Sequence, residues 1–241
     1  MSAITITNLT KKYAALTAVD NLNLIIEKGE LFALLGMNSA GKTTTIKMLS
    51  CLIQPTDGDA VLLGDSIKEN PNAVKQKTNV SPQETAVAPN LSVLENLELI
   101  AGIYGQNIQT SRTSAIEISL RFGLDNVLSK KAKTLSGGMQ RRLSIAMALI
   151  SNPQILFLDE PTLGLDVLAR RELWASIKQL KNQVTIILTT HYLEEVEALS
   201  DRIGVMTKGR LAAVGTSAEL TEQTGTTNLE DAFITLSGGV L

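Results

Sequence analysis

The sequence predicts an α/β fold with an all-helical insert. Three observations predict it. Short apolar runs and amphipathic helices alternate at both ends of the chain. A stretch from about residue 84 to 150 is helical throughout. Two of the apolar runs, Leu31–Leu35 and Ile155–Leu158, are continuous rather than alternating, as in strands covered on both faces of a parallel sheet.

The elements follow in order. Ile4 and Ile6 alternate with threonines, and Leu22, Leu24 and Ile26 with Asn23 and Ile25, so both segments read as half-buried strands. Glu27–Glu30 is a turn before the buried run Leu31–Leu35. A glycine-containing loop and a helix from about Lys42 to Leu52 come next, with Cys51 expected in its apolar core. Pro55–Gly58 is turn chemistry ahead of a strand at Ala60–Leu63. In the insert, Ser92 to Glu95 forms a capping box that opens a helix to about Tyr104. A second helix spans about Thr110–Phe122, stopped by Gly123. The third begins at Thr134–Arg142, TLSGGMQRR, and ends at Asn152-Pro153. Strands return at Ile155–Leu158 and Val184–Leu188, around a helix at Val167–Lys181. A short acidic helix (Tyr192–Leu199), a hairpin about Lys208-Gly209 and a final helix capped by Thr216 complete the reading.

Composition excludes several roles. The 241 residues carry a net charge of −2, without the basic face of a nucleic-acid binder. The cluster Lys130, Lys131 and Lys133 reads as a solvated loop. One cysteine permits neither an intrachain disulfide nor a cysteine-based metal site. The N-terminus has no apolar targeting core and no run is long enough to span a bilayer, so a soluble, cytoplasmic protein is expected.

Chemistry concentrates at strand ends. Gly36–Thr43, GMNSAGKT, fits G-x-x-x-x-G-K-[ST] between a buried strand and a helix. Its glycines let backbone N–H groups close on phosphate oxygens, and the helix start adds a positive dipole end. Lys42 supplies a mobile charge, and the Thr43 hydroxyl suits Mg²⁺. Ile155–Leu158 ends in Asp159, a Mg²⁺ ligand acting through water, and Glu160, placed to take a proton from an attacking water. His191, the only histidine, ends another buried strand. Gln83 follows a short β-like segment. Tyr13, beside Lys11 and Lys12, is placed to stack on a base. Ser136 caps a helix whose next residues, Gly137 and Gly138, leave its first N–H groups unshielded, a second anion site. Leu236–Gly239 repeats the letters LSGG with only Val240 and Leu241 behind it, and reads as a frayed tail.

In this order, GMNSAGKT, the Gln83 loop, LSGGMQRR, ILFLDEP, Leu165-Asp166 and His191 resemble the ATP-binding-cassette (ABC) ATPases, from about Ala3 to Val214. The resemblance implies a P-loop NTPase core with an N-terminal antiparallel β subdomain and an inserted α-helical subdomain. It places the cassette at residues 1–220 and a C-terminal helix or tail at 221–241. It assigns ATP to Tyr13, Gly36, Asn38, Ser39, Ala40, Gly41, Lys42, Thr43 and Thr44, and Mg²⁺ to Thr43, Gln83 and Asp159. It makes Glu160 the catalytic base, His191 the γ-phosphate switch and Gln83 the sensor of the attacking water and of a membrane partner. Ser136, Gly137 and Gly138 would bind the γ-phosphate held by an opposite subunit, with Asp166 across the dimer interface. Met37 and Ser39 replace the family's more usual proline and glycine, with little loss of binding expected. The tail Asn228–Phe233 is similar to those of exporter-type cassettes for drugs, lipids or polysaccharides. The implied protein drives a separate membrane permease from the inner face of the cell membrane, paired with a second cassette, identical or different. An importer cassette, a soluble cassette ATPase acting on nucleic acid or ribosomes, and an assembly factor with little turnover are the alternatives.

Overall fold

The computed structural model describes residues 1–239. The chain opens with β1 (Ser2–Tyr13) and β2 (Leu16–Glu27), an antiparallel pair. The short buried strand β3 (Leu31–Leu35) leads through the glycine loop into α1 (Lys42–Leu49). β4 (Asp57–Leu62) and β5 (Asp65–Ser66) then return to β1, giving a four-stranded antiparallel sheet ordered β2-β1-β4-β5. Next come α2 (Pro71–Lys77), β6 (Thr78–Ser81) and the three insert helices, α3 (Val93–Ile103), α4 (Ile108–Arg121) and α5 (Gly137–Leu149). β7 (Ile155–Asp159), α6 (Val167–Lys178), β8 (Thr185–Thr190), α7 (Leu193–Leu199), β9 (Arg202–Thr207) and β10 (Arg210–Gly215) follow. Two helices, α8 (Ser217–Thr224) and α9 (Leu229–Leu236), close the described chain.

The second sheet runs β10-β9-β3-β8-β7-β6. Its neighbours from β9 to β6 are parallel and β10 alone is antiparallel. Every residue of β3, β7 and β8 is buried, which is why these strands read as unbroken apolar runs. The insert packs on one face of this sheet. Leu97, Ala101, Phe122, Leu143 and Ala146 share a core with Leu156, Leu158 and Leu188. The other face meets α1 and the antiparallel sheet, where Phe32, Phe157 and Ile187 pack against Ile46, Met48, Ile4 and Leu22. Parallel strands all end on the same side, so the residues after β3, β7 and β8 meet along one edge.

The α/β class with its antiparallel sheet and helical insert is as expected, but several local readings change. α1 ends at Leu49, three residues before the expected stop. Cys51 lies outside it, half-buried, at φ +56°. The Cys51 N–H donates to Met48 O and the Leu52 N–H to Lys47 O, a Schellman end made without glycine. α2 carries its signal in Pro71 at the helix start, which the apolar pattern does not register. α4 begins two residues early because Asn107 Oδ1 accepts from the Thr110 N–H. β8 extends through Thr189 and Thr190. The helix capped by Thr216 is followed by another, α9, capped by Asn228. Leu236–Gly239 is no frayed tail over these residues. Leu236 ends α9, Gly238 sits at φ +80°, and the Gly239 N–H closes on Ile234 O. A helix therefore precedes this copy of LSGG instead of following it. Val240 and Leu241 lie outside the described residues.

Candidate functional site

The loop after β3 is shaped by its surroundings. A Cβ at Gly36 would stand 2.4 Å from the Met206 carbonyl oxygen, and one at Gly41 2.4 Å from that of Ala18. Gly41 also holds φ +106°. Ser39 sits at φ +67°, in the left-handed region where a side chain costs about 1–2 kcal/mol. The departure at Ser39 thus carries a backbone strain that its N–H geometry alone does not reveal. α1 starts at Gly41 with no side-chain cap, so its first N–H groups around Lys42, Thr43 and Thr44 face the cavity unshielded.

Below the loop, polar side chains interlock. Lys42 Nζ donates to the carbonyls of Gly36 (2.7 Å) and Met37 (3.2 Å), and pairs with Glu160 Oε1 at 3.1 Å. Glu160 Oε2 lies 2.8 Å from His191 Nδ1. Asp159 Oδ1 accepts from the Thr43 hydroxyl at 3.0 Å and from Thr189 at 2.6 Å. Glu160 occupies φ +47°, and its N–H donates to the carbonyl and hydroxyl oxygens of Thr189. Left-handed backbone at a residue other than glycine persists only where its surroundings over-determine it, and such sites cluster around function. Thr189 was visible in the sequence only as a strand end. Its signal is a hydroxyl at the end of the apolar run Ile186–Leu188.

These groups border a cavity of about 770 Å³, within the range of small-molecule sites. It brings together Tyr13, residues 38–44, Gln83, Glu160 and His191. The wall near Tyr13 comes from Leu16, Thr17, Ala18, Lys208 and Gly209, none of which the motifs indicate. Lys11 Nζ lies 5.2 Å from the Tyr13 ring centre. Gly36 and Asp159 lie behind the lining.

Ser136, Gly137, Gly138 and Asp166 are not part of this cavity. Ser136 Oγ caps α5 by accepting from the Met139 N–H at 3.3 Å. A Cβ at Gly138 would meet Ala169 Cβ at 2.8 Å, so α6 requires that glycine. A Cβ at Gly137 would meet nothing within 4 Å. Asp166 spends its carboxylate on its own helix, accepting from the Ala169 N–H at 2.9 Å. Beside it, Val167 and Leu168 are 60% and 70% exposed.

Behind the site, Arg170 packs over the rings of both Trp174 and Tyr192, and Tyr192 lies 4.1 Å from the His191 ring. The Trp174 indole N–H donates to Glu195 Oε1 at 3.1 Å. Burial pushes the Glu195 carboxyl above the usual carboxylate range.

Oxygen donors at Thr43 and Asp159, side by side under an unshielded helix start, fit Mg²⁺. That ion takes one or two protein oxygens and completes its shell with water and phosphate. Among the described residues no group of three or more histidine, cysteine or acidic side chains forms an all-protein metal site, and no helix is long and apolar enough to cross a membrane.

Comparison with known proteins identifies the family. A family model described as ABC transporter matches residues 19–163, more than half of the chain. The chain is 39% identical over 224 residues to the daunorubicin/doxorubicin resistance ATP-binding protein DrrA of Streptomyces peucetius, covering 92% of this chain and 68% of that protein. It is also 39% identical to the probable multidrug ABC transporter ATP-binding protein YbhF of Escherichia coli (strain K12), over 95% of this chain but 40% of that longer protein. A solved structure described as the ATP binding subunit of an ABC transporter superposes with a TM-score of 0.86 at 28% identity, covering 98% of this chain and 99% of that one. A dimeric ATP-binding cassette in a post-hydrolysis state, bound to ADP and Pi, gives 0.80 at 27% identity over 88% and 98%. The chain belongs to the ABC transporter family.

Proposed function

We propose that this chain is the ATP-binding and ATP-hydrolysing subunit of an ABC transporter, working as a pair of cassettes that drives a separate membrane permease. The observation that carries the reading is the convergence of Lys42, Thr43, Glu160 and His191 on one cavity beneath an uncapped helix start. We read residues 1–220 as the cassette and the helix beyond them as an appendage.

The residues divide the work by chemistry. Backbone N–H groups from the stretch 38–44 cradle the phosphates, with Gly36 behind them donating its own N–H to Thr190 O, and Tyr13 offers a face for the base. Lys42 turns its ammonium from Glu160 to the β- and γ-phosphates. Glu160, released from Lys42, accepts the proton of the attacking water, and His191 contacts the γ-phosphate. Thr43, Asp159 and Gln83 would hold Mg²⁺, which neutralises phosphate charge when bound. Gln83, exposed in the loop between β6 and the insert, faces the permease.

The second anion site acts on a partner's nucleotide. Ser136–Gly138 stands apart from the chain's own cavity, and the open space at Gly137 lets another molecule's phosphate approach the helix start. Exposed Leu163, Val167 and Leu168 flank Asp166 on the surface that the second cassette, identical or different, would cover. The names of the drug-resistance and multidrug relatives, with the tail Asn228–Phe233, favour an exporter. The working place is then the cytoplasmic face of the membrane, with no nucleic-acid partner.

Glu160→Gln tests the mechanism. Hydrolysis is expected to fall by roughly 10²–10⁴-fold, and the variant to elute as a dimer in Mg-ATP and as a monomer without it. Absence of the ATP-stabilised dimer sinks the two-cassette mechanism, and unchanged turnover sinks the role of Glu160.

A further inference from the structure

Arg141 lies about one turn into α5, downstream of Ser136–Gly138. Its side chain is buried, yet every hydrogen bond it makes goes to a backbone carbonyl. Nε donates to Pro161 O at 2.8 Å, and Nη2 to Asp159 O at 2.9 Å. Nη1 donates to Pro82 O and, at 3.4 Å, to Gln83 O. The carboxylates of Asp159 and Glu195 act on it at longer range. Burial pushes the guanidinium pKa down to about 10, which still leaves it charged at neutral pH. Burying that charge is costly in desolvation, and the location of its partners shows what the cost secures.

The two well-formed bonds to β7 and its exit bracket one residue. Asp159 and Pro161 stand on either side of Glu160, whose φ of +47° is unfavourable for any side chain but glycine. Arg141 grips the carbonyl before Glu160 and the carbonyl after it. Thr189 holds the N–H between them. Arg141 and Thr189 together hold the peptide before Glu160, the Leu163 N–H donates to the Glu160 carbonyl, and Arg141 fixes the next carbonyl, that of Pro161, so the Glu160 carboxylate is directed at Lys42 and His191. The remaining guanidinium donors hold the backbone of the Gln83 loop to the same point. Only a planar fork with five donors reaches carbonyls on two segments at once.

We propose that Arg141 is a positioning residue. It fixes the strained Glu160 backbone in its reactive conformation and ties it to the Gln83 loop and to the start of α5. The proposal rests on Glu160 being the base, so its test runs beside Glu160→Gln.

The test uses the full chain with Arg141→Ala and Arg141→Lys. Thermal melting, affinity for a fluorescent ATP analogue in EDTA, and steady-state ATPase kinetics are measured for each. Both variants are expected to melt cooperatively and to keep nucleotide affinity and KM within about threefold of wild type. The kcat of Arg141→Ala is expected to fall on the order of 10²-fold, the effect of a misplaced reacting group. Arg141→Lys keeps the charge but not the fork, so its kcat is expected between those of Arg141→Ala and wild type. Millimolar guanidinium is expected to restore part of the turnover of Arg141→Ala and none of that of Glu160→Gln. A kcat near wild type in both variants overturns the proposal. So does a loss of kcat matched by equal loss of nucleotide affinity and melting temperature, which is the mark of a merely structural residue. If Arg141→Ala does not fold, Arg141→Lys decides: lowered kcat at unchanged KM supports the proposal, and wild-type kcat overturns it. An active Glu160→Gln points instead to failure of the site reading.

Discussion

The starts of α1, capped by Gly41, and of α5, which begins at Gly137, are built in opposite ways. At α1 the chain supplies everything around the anion site. Gly41 has no side-chain cap, the carbonyls of Ala18 and Met206 wall the loop, and Lys42, Thr43 and Glu160 stand within reach. At α5 the chain supplies only the helix end. Ser136 caps it, Gly138 is pressed on Ala169, and Gly137 borders open space. One start is a finished socket and the other is half of one. Similar glycine motifs therefore carry different information: in the first, glycine is required by the protein's own backbone, while at Gly137 no described atom of the chain requires it.

The largest expected effects separate the two starts. Lys42→Met removes the socket's cation, and ATP affinity of the isolated chain is expected to drop on the order of 10²-fold in a binding titration. Ser136→Arg is expected to leave that affinity unchanged while turnover falls by roughly the 10²–10³-fold typical of a lost anion-binding donor. Loss of ATP binding in Ser136→Arg would show that both starts serve one nucleotide, and the comparison would collapse.

The two glycines of α5 sharpen it further. Gly138→Ala drives a methyl onto Ala169 and is expected to cost about 1–3 kcal/mol of stability, read as a lower melting temperature. Gly137→Ala meets no atom and is expected to melt at or slightly above wild type, by up to about 1 kcal/mol of helix propensity. Its turnover is nevertheless expected to fall. If Gly137→Ala hydrolyses ATP normally, the open space at Gly137 is not a binding surface.

The smallest effect concerns the finished socket. Ser39→Gly relieves left-handed strain but adds freedom to the unfolded chain, leaving a net gain below about 1 kcal/mol. A small rise in melting temperature with unchanged turnover is expected. A fall would mean that the serine side chain contributes more to the loop than its strain removes.

Legibility in the sequence followed the range of the interaction. Leu31–Leu35 and Ile155–Asp159 could be read because burial on both faces leaves an unbroken apolar signature. The loop from Gly36 to Thr43 could be read because its letters form one contiguous motif, which Lys42 closes by donating back to the Gly36 and Met37 carbonyls. Cys51 misled because a Schellman end made without glycine leaves no letter to mark it. Thr189 and Arg141 were silent as site residues because their partners lie in other segments of the chain. The left-handed turn at Glu160 is a product of those same distant contacts.

Trp174 is the chain's only tryptophan. It sits under Arg170, which also covers Tyr192 beside His191, and its indole N–H rests on buried Glu195. A single indole wired to the far side of His191 makes the chain its own optical gauge. Its emission reports on the seating of α6 and α7 without a label, in a background of three tyrosines and no second indole.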